Sequence, residues 1–320
     1  MGEVSFVDVS KRFSLRVDGE LHNVQALDRV SFTVRDGEIV ALIGPSGCGK
    51  TTALRVAMGL DPANGGRVTV DGREVHGCGH DRGMVFQHAE LLPWLSAMQN
   101  VMFGLEMKGM RGALLRETAK KYLDLVGLAD SQNRRPHQLS GGMKQRVGIA
   151  RALAIDPKFV VCDEPISALD VSIRAQIINL LKELQTKFGL TYLFIAHGLN
   201  VVKHISDRVG VMYLGRLVEV APKRELYGNP LHPYTKALLS AIPVTNPALR
   251  KERILLEGDV SSPIDPAPGC RFASRCYARV GCTSCACETA MPELVEVSPD
   301  HFVSCYLFGR QDKDPRVVPS

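Results

Sequence analysis

The stretch Glu38-Ile39-Val40-Ala41-Leu42-Ile43-Gly44-Pro45-Ser46-Gly47-Cys48-Gly49-Lys50-Thr51-Thr52 decides the fold of this chain. Its first six residues are almost continuously apolar, which is typical of a buried parallel strand. A glycine-rich loop follows directly, and Lys50 to Met58 then has the pattern of a helix. A strand, a Gly-x4-Gly-Lys-Thr loop and a helix in this order predict a phosphate-binding loop.

Glycine in such a loop leaves backbone N–H groups free to point at phosphate oxygens, and the start of the helix adds a favourable dipole. Lys50 is expected to contact the β- and γ-phosphates, and Thr51 is expected to place its hydroxyl on Mg²⁺. A simple turn is the alternative. The residues predicted to surround the phosphates of ATP are Gly44, Ser46, Gly47, Cys48, Gly49, Lys50 and Thr51.

Further along the chain, Phe159-Val160-Val161-Cys162 indicates a second buried strand, which ends at Asp163 and Glu164. A carboxylate at such a strand end can hold Mg²⁺ through water, although a structural cap is the alternative. Thr191 to Ile195 indicates another buried strand, and an apolar stripe of helical spacing lies between the two, with Gly189 at the expected C-cap. The order strand, helix, strand predicts a parallel sheet.

The flanking regions differ in character. Residues 1–35 alternate between apolar and polar and predict strands, whereas helical spacing appears between about 88 and 150. After about residue 230, repeated prolines break the chain into short pieces. This pattern predicts a loop-rich C-terminal region.

The bulk composition excludes some classes of function. The chain has 320 residues and 45% hydrophobic content, as expected for a folded protein. Its 39 basic and 34 acidic residues leave a net charge of only +5, which argues against a nucleic-acid partner. No apolar run approaches the roughly 20 residues that span a bilayer, and the first residues do not have the pattern of a signal peptide. We therefore expect a cytoplasmic location.

Three more motifs complete an ordered set: Gln87, then Leu139-Ser140-Gly141-Gly142-Met143-Lys144-Gln145, then His197 after the strand that ends near Ala196. With these motifs, the first 240 or so residues resemble the nucleotide-binding subunit of an ATP-binding cassette (ABC) transporter. The resemblance implies an α/β fold of the P-loop NTPase class with a parallel core sheet, an antiparallel β subdomain, an inserted helical subdomain and a small Cys-containing C-terminal region. We place the cassette at 1–235, with its core at about 1–88 and 156–235 and the helical subdomain at about 89–155, and the C-terminal region at 236–320.

The resemblance also implies an ATPase and assigns roles to single residues. Glu164 would polarise the attacking water, His197 would contact the γ-phosphate, and Gln87 would touch both Mg²⁺ and the water. Thr52 would reach the α-phosphate, and Phe13 would stack on adenine, with a core position as its alternative. The family usually has Asp after the histidine, whereas this chain has Gly198.

Ser140, Gly141 and Gly142 form a second phosphate-binding surface at the start of a helix. In the family this surface binds the nucleotide of a second ATP-binding subunit, either a paralogue or another copy. ATP would close the head-to-tail dimer and hydrolysis would reopen it. Leu91 to Ser96, with the single tryptophan Trp94, fits the groove that receives a membrane subunit, although a core role for Trp94 is equally open.

The segment from Asn229 to Pro243 resembles the one that follows the cassette in oligopeptide, dipeptide and nickel importers, and the cysteine-containing tail resembles them too. We therefore expect a peripheral subunit on the cytoplasmic face of the inner membrane, working with two transmembrane permease subunits and, indirectly, an extracytoplasmic solute-binding protein. The region from Gln87 to Trp94 is more similar to importers of nitrate or sulfonates. A non-transport ABC ATPase with a metal-sensing tail is the remaining alternative.

Six of the nine cysteines lie between residues 270 and 305, a clustering that favours a metal site over disulfides in a reducing compartment. Resemblance to the peptide importers implies a [4Fe–4S] cluster on Cys270, Cys276, Cys287 and Cys305. Cys282 or Cys285 could replace Cys287 as a ligand. Zn²⁺ is the strongest alternative, because Cys-x2-Cys also suits a tetrahedral ion.

Overall fold

A computed structural model of the chain describes residues 2–17, 20–196, 198–242, 252–259, 261–264, 266–281 and 286–308. The described strands are β1 Val4–Val17, β2 Glu20–Val34, β3 Ile39–Ile43, β4 Gly65–Val70, β5 Arg73–Glu74, β6 Arg82–Val85, β7 Phe159–Asp163, β8 Thr191–Ile195, β9 Arg208–Tyr213, β10 Arg216–Pro222, β11 Val295–Ser298 and β12 His301–Val303. The described α-helices are α1 Lys50–Ala57, α2 Ala97–Met107, α3 Gly112–Leu125, α4 Gly141–Ala154, α5 Val171–Phe188, α6 Leu199–Ile205, α7 Lys223–Gly228 and α8 Pro233–Ser240.

The central sheet has the order β11-β12-β10-β9-β3-β8-β7-β6. Strands β9, β3, β8, β7 and β6 are parallel to one another, and β10, β12 and β11 extend the sheet in antiparallel fashion. Every residue of β3 and β8 is buried, as their continuous apolar sequences predict. The predicted parallel core is confirmed, and it brings the carboxyl ends of β3, β8, β7 and β6 to one edge.

A second, antiparallel sheet has the order β2-β1-β4-β5. Register shifts between Phe6 and Lys11 show that β1 carries bulges where it pairs with β2. The rings of Phe6 and Phe32 stack on each other across these two strands, with centroids 4.4 Å apart. This sheet and α1 pack against one face of the central sheet, in an apolar core that includes Leu27, Leu54 and Val68 and also Val40 and Val161 of the central sheet.

Helices α2, α3 and α4 come between β6 and β7 in the sequence, and they pack against one another as one layer. The sequence predicts helices in this region. Helix α4 packs against α2, α3, β6 and α5, so it joins this layer to the central sheet. Helix α2 begins with a capping box, in which Ser96 and Gln99 satisfy each other's backbone N–H groups.

The C-terminal region is not separate from the central sheet. Strand β12 pairs with β10, and β11 pairs with β12. The boundary near residue 235 stays a prediction. Within the described ranges, no helix has both the length and the apolar content needed to cross a membrane.

Candidate nucleotide-binding and hydrolysis site

The phosphate-binding loop follows β3 and has tight backbone packing. A Cβ atom on Gly44 would lie 2.2 Å from the carbonyl oxygen of Met212, and one on Gly49 would lie 2.3 Å from that of Ala26. Gly49 also has a φ of 104°, in the left-handed region. Both positions therefore require glycine, and the residue after Gly49 starts α1.

Lys50 is buried at the first position of α1. Its ammonium donates to the carbonyl oxygens of Gly44 and Pro45, each at 2.9 Å, and contacts the sulfur of Cys48 at 3.6 Å. The ammonium of Lys50 therefore lies inside the curve of the phosphate-binding loop. Thr51 and Thr52 follow it on the same helix.

The far side of the loop is tied to the β9–β10 turn. The N–H of Gly215 donates to the carbonyl oxygen of Cys48 at 2.9 Å. Cys48 itself is buried, and burial raises the pKa of its thiol although the neighbouring Lys50 charge opposes the shift. The thiol is therefore neutral, and the loop has a fixed support on the central sheet.

Asp163 is the last residue of β7, and Glu164 follows it. Because β7 lies beside β8, which lies beside β3, the two carboxylates are at the same sheet edge as the phosphate-binding loop. Glu164 has a φ of 48°, which is uncommon for a residue with a side chain. Its N–H donates to Ile195, and its carbonyl oxygen accepts from the N–H and hydroxyl of Ser167, so several bonds hold the strained backbone.

Gln87 follows β6, the next strand along the same edge, and its side chain is exposed. Two residues of α4 hold the segment around it. The amide of Gln145 donates to the carbonyl oxygen of Phe86 at 2.9 Å, and Arg151 donates to those of Ala89 and Glu90. The sequence analysis assigned no role to Gln145 or Arg151. Gln145 is the last residue of the quoted Leu139–Gln145 motif, and this was the available signal.

His197 lies outside the described residues. Gly198 is the N-cap of α6 and provides no side-chain cap. The Asp that the family usually has at this position would supply one, because Asp is a favoured N-cap residue. The departure therefore removes a capping group from α6.

The ring of Phe13 lies on β1 and is 37% exposed, so Phe13 is not a core residue. The ammonium of Lys11 lies 5.1 Å from the centre of this ring. An open ring with a cation at its face is available for stacking, and the adenine contact stays a prediction.

The Ser-Gly-Gly motif forms the start of α4. The hydroxyl of Ser140 caps the helix by accepting from the N–H of Met143 at 3.3 Å. Ser140 and Gly141 are exposed, whereas Gly142 is buried against Ile173. The helix start is therefore open to a binding partner, as a role in binding a second subunit's nucleotide requires.

Trp94 is 66% exposed, which excludes the core role for it. The loop that carries it is fixed by the fully buried Asn100, whose side chain accepts from the N–H of Leu92 and donates to three carbonyl oxygens of residues 92–96. Phe103 and Met107, further along α2, are also exposed. Asn100 is a second residue that sequence reasoning missed, because a buried asparagine has no sequence signature.

The structure brings Cys270, Cys276, Cys287 and Cys305 together. Burial raises the pKa of the Cys305 thiol to about 12, and the other three thiols add to this rise, so all four lie within electrostatic reach. Burial likewise raises the pKa of Cys270 to about 11. In the described part of the chain, no three His, Cys, Asp or Glu side chains are placed to hold a single metal ion. Cys282 and Cys285 lie outside that part.

A buried carboxylate that sequence reasoning missed anchors the C-terminal region. Glu219 on β10 is fully buried and accepts from the N–H groups of Leu231 and His232 at 2.8 and 2.9 Å. It also contacts the imidazole of His301 on β12 at 2.7 Å. Leu231, His232 and His301 of strand β12 thus meet at one side chain of the central sheet.

Comparison with known protein families finds matches to two regions of the chain. Residues 27–167 match the family described as ABC transporter, and residues 218–282 match the oligopeptide/dipeptide transporter C-terminal region. The oligopeptide transport ATP-binding protein AppF of Bacillus subtilis (strain 168) is 43% identical over 320 residues, which cover 94% of this chain and 96% of AppF. This chain belongs to the ABC transporter family. It is an ABC-type ATPase, as its motifs predict.

Two further relatives support the family assignment. The oligopeptide transport ATP-binding protein OppF of the same organism is 48% identical over 252 residues, covering 74% of this chain and 83% of OppF. Among solved structures, a dimeric post-hydrolysis state of the ATP-binding cassette MJ0796, bound to ADP and Pi, is 33% identical, with a TM-score of 0.62. It covers 69% of this ABC ATPase and 99% of that cassette, so the predicted cassette fold is confirmed, and the Cys-containing C-terminal region stays a prediction.

Proposed function

We propose that this ABC ATPase is the energy-coupling subunit of a bacterial importer for di- and oligopeptides. The observation that carries the proposal is the match of residues 218–282 to the oligopeptide/dipeptide transporter C-terminal region. The bonds of Glu219 support the proposal. Glu219, Leu231 and His232 all lie within the matched residues, and these bonds hold that region on the central sheet.

ATP binding requires Lys50 to change partners. Its ammonium, now bonded to the Gly44 and Pro45 carbonyl oxygens, would turn to the β- and γ-phosphates. Loop N–H groups and the start of α1 would hold the remaining phosphate oxygens. Three oxygen-bearing side chains on this edge of the sheet would hold Mg²⁺: the Thr51 hydroxyl, the Asp163 carboxylate and the Gln87 amide. The ion would neutralise phosphate charge when bound.

Hydrolysis depends on positioning an attacking water. The rigid backbone of Glu164 would hold its carboxylate against that water at the sheet edge, and His197 would contact the γ-phosphate. Gln145 and Arg151 of α4 would act as positioning residues, because they hold the Gln87 segment.

A second ATP-binding subunit, either a paralogue or another copy of this chain, would complete the site. The exposed Ser140 and Gly141 at the start of α4 would meet the nucleotide held by that subunit. Two nucleotides would then close a head-to-tail dimer, and hydrolysis would reopen it.

Two permease subunits would anchor this dimer to the cytoplasmic face of the inner membrane. The exposed side chains of Trp94, Phe103 and Met107 provide an apolar surface of the kind that partner proteins cover. An extracytoplasmic solute-binding protein would deliver the peptide to the permeases.

The four grouped cysteines would hold a [4Fe–4S] cluster, with Zn²⁺ as the alternative. Four thiolates at irregular spacing suit such a cluster, and the N–H of Cys270 donates to the carbonyl oxygen of Cys287, which holds these two residues side by side. Iron, sulfide and zinc analysis of anaerobically purified protein separates the two. About four irons and four sulfides per chain support the cluster, and one zinc without iron refutes it.

Transport is tested by reconstituting the chain with its permeases, its ATPase partner and its binding protein in vesicles. We expect ATP-dependent uptake of labelled di- and tripeptides that is lost in Lys50→Ala. Nickel and nitrate are the comparison solutes. Uptake of either of these without peptide uptake would refute the peptide assignment, and ATP turnover that no solute stimulates would favour a non-transport ATPase.

A further inference from the structure

A cavity of about 750 Å³ lies between the antiparallel sheet, β10 and residues 291–304 of the C-terminal region. This volume is within the range of small-molecule sites, which often lie between structural units. Its lining includes no residue of the phosphate-binding loop and none of Gln87, Asp163 or Glu164. The cavity is therefore separate from the nucleotide site.

The floor of the cavity is apolar. It includes the stacked rings of Phe6 and Phe32 together with the buried side chains of Leu217 and Val220. The C-terminal region adds Leu294, which is half-buried. An apolar body of a ligand would be removed from water on this floor, which is the main source of affinity in such sites.

One wall has excess positive charge. The carboxylate of Asp28 is shared by three guanidinium groups, with Nε of Arg216 at 2.8 Å, Nη2 of Arg271 at 3.1 Å and Nε of Arg29 at 3.9 Å. One negative charge therefore faces three positive ones. Arg29 and Arg216 both line the cavity, and the Arg29 side chain is 64% exposed, so its guanidinium is open to a ligand anion.

The other charges of the lining and their partners have the opposite sign in excess, with two arginines and four carboxylates. Arg35 forms an ion pair with Asp300, and Arg208 lies 3.5 Å from Glu38. The lining also has two carboxylates, on Asp8 and Glu293. Counted with Asp28, Glu38 and Arg271, the cavity has five cations and five carboxylates, so its charge is balanced overall, and Arg29 is the cation that a ligand beside the apolar floor can reach.

The backbone at this wall is strained. Asp8 and Arg29 both have a φ of 50°, although neither is glycine. Side-chain bonds support both positions, because Ser31 accepts from the N–H of Asp8 at 2.8 Å and Ser10 accepts from that of Arg29 at 3.0 Å. Both residues lie at the bulges where β1 pairs with β2, which account for their φ values, and both line the cavity.

We propose that this cavity binds a small carboxylate with an apolar body. The carboxylate lies against Arg29, and the apolar body lies on the Phe6–Phe32 floor. A short peptide with apolar side chains and a fatty acid both supply this chemistry. The inference does not depend on which solute is transported.

Calorimetric titration of the purified full-length chain tests the proposal with four probes: leucyl-phenylalanine, its C-terminal amide, its N-acetylated form and decanoate. We expect binding of at least one carboxylate probe, and at least about tenfold weaker binding of the amide than of the free dipeptide if the dipeptide is the ligand. Binding of decanoate alone indicates the fatty-acid source. Equal binding of the acid and the amide, or no binding of any probe at about 1 mM, refutes the proposal.

Arg29→Asn tests the cationic wall without disturbing the fold, because Asn tolerates positive φ and keeps the backbone bond to Ser10. We expect about tenfold weaker binding of the carboxylate probe. Arg73→Asn, at an exposed arginine outside the cavity, is the matched control and should bind normally. Unchanged affinity of Arg29→Asn for the carboxylate probe would refute the role of Arg29 in binding the carboxylate.

Leu294→Trp tests the floor by filling the cavity. We expect loss of probe binding with retention of ADP binding, which shows that the cassette is folded. Retained probe binding contradicts the proposal. If the Leu294→Trp variant also loses ADP binding, its cassette is not folded, and the Arg29→Asn result then decides whether the cavity binds a carboxylate.

Discussion

Glu164 combines an uncommon backbone conformation with a carboxylate at the nucleotide edge of the sheet. If it orients the attacking water, Glu164→Gln should keep nucleotide affinity while lowering the rate of ATP hydrolysis about 10²-fold or more, since the amide cannot accept a proton. Phosphate release and the binding of a fluorescent nucleotide measure the two quantities. The control is Glu183→Gln on the exposed face of α5, which should hydrolyse ATP normally. A Glu164→Gln protein with normal turnover would remove Glu164 from the mechanism.

Gly142 and Gly141 are neighbours in α4 with different surroundings. A Cβ atom on Gly142 would lie 2.6 Å from Cγ2 of Ile173, whereas one on Gly141 would lie 3.4 Å from its nearest neighbour, Cδ2 of Leu169. We expect Gly142→Ala to lower the free energy of unfolding by about 1–3 kcal/mol through overpacking. Gly141→Ala should leave it unchanged or slightly higher, because alanine favours a helix. Urea denaturation of both variants measures the difference, and equal stabilities would contradict it.

At the scale of elements, Asn100 fixes the loop before α2. Its buried amide forms four hydrogen bonds with backbone atoms of residues 92–96. Asn100→Ala would leave buried backbone groups without partners, so we expect a loss of about 2–3 kcal/mol in the free energy of unfolding. The fluorescence of Trp94, the single tryptophan, reports on the loop and should show greater mobility. Asn133→Ala, at an exposed asparagine, serves as the reference and should alter neither the stability nor the fluorescence. If the loop stays rigid in Asn100→Ala, Asn100 does not fix it.

Strands β3, β7 and β8 could be predicted because each is a short, continuously apolar run, as burial on both faces of a parallel sheet requires. The residues that follow β3 and β7 are then placed at one edge by topology alone. Strand β11 has no such signal, since most of its residues are exposed. The Glu219 anchor was equally hidden, because His301 lies 82 residues away in the sequence and only tertiary packing brings the two together.

At the scale of the whole molecule, the β9–β10 turn connects the nucleotide site to the C-terminal region. Gly215 in this turn bonds to Cys48 of the phosphate-binding loop. Tyr213, at the end of β9, packs against Tyr234 and Phe272, with ring centroids 4.8 and 5.3 Å apart. Phe272 lies two residues after Cys270, so the cysteine group and the phosphate-binding loop are supported by the same turn. The β9–β10 turn therefore contacts both regions.

The anchor of the C-terminal region should weaken in acid because of His232. Burial lowers the pKa of its imidazole to about 4, although the Glu219 carboxylate opposes the shift. Above the ordinary value of about 6.5, the imidazole is neutral in both the folded and the unfolded chain. As the pH falls from there towards 4, the unfolded chain takes up a proton that the folded one excludes, and about 3 kcal/mol of stability is lost.

The imidazole also caps α8 by accepting from the N–H of Tyr234 at 3.0 Å. His232→Asn keeps a capping oxygen but cannot titrate, so its unfolding free energy should change less between pH 7 and 4.5 than that of the unaltered chain. Urea unfolding at the two pH values measures this difference. Hydrogen exchange in β12 and in residues 266–281 should rise in the unaltered chain at pH 4.5, after correction for the intrinsic rate, because both segments depend on the anchor. The same acid sensitivity in His232→Asn would assign the effect to another group.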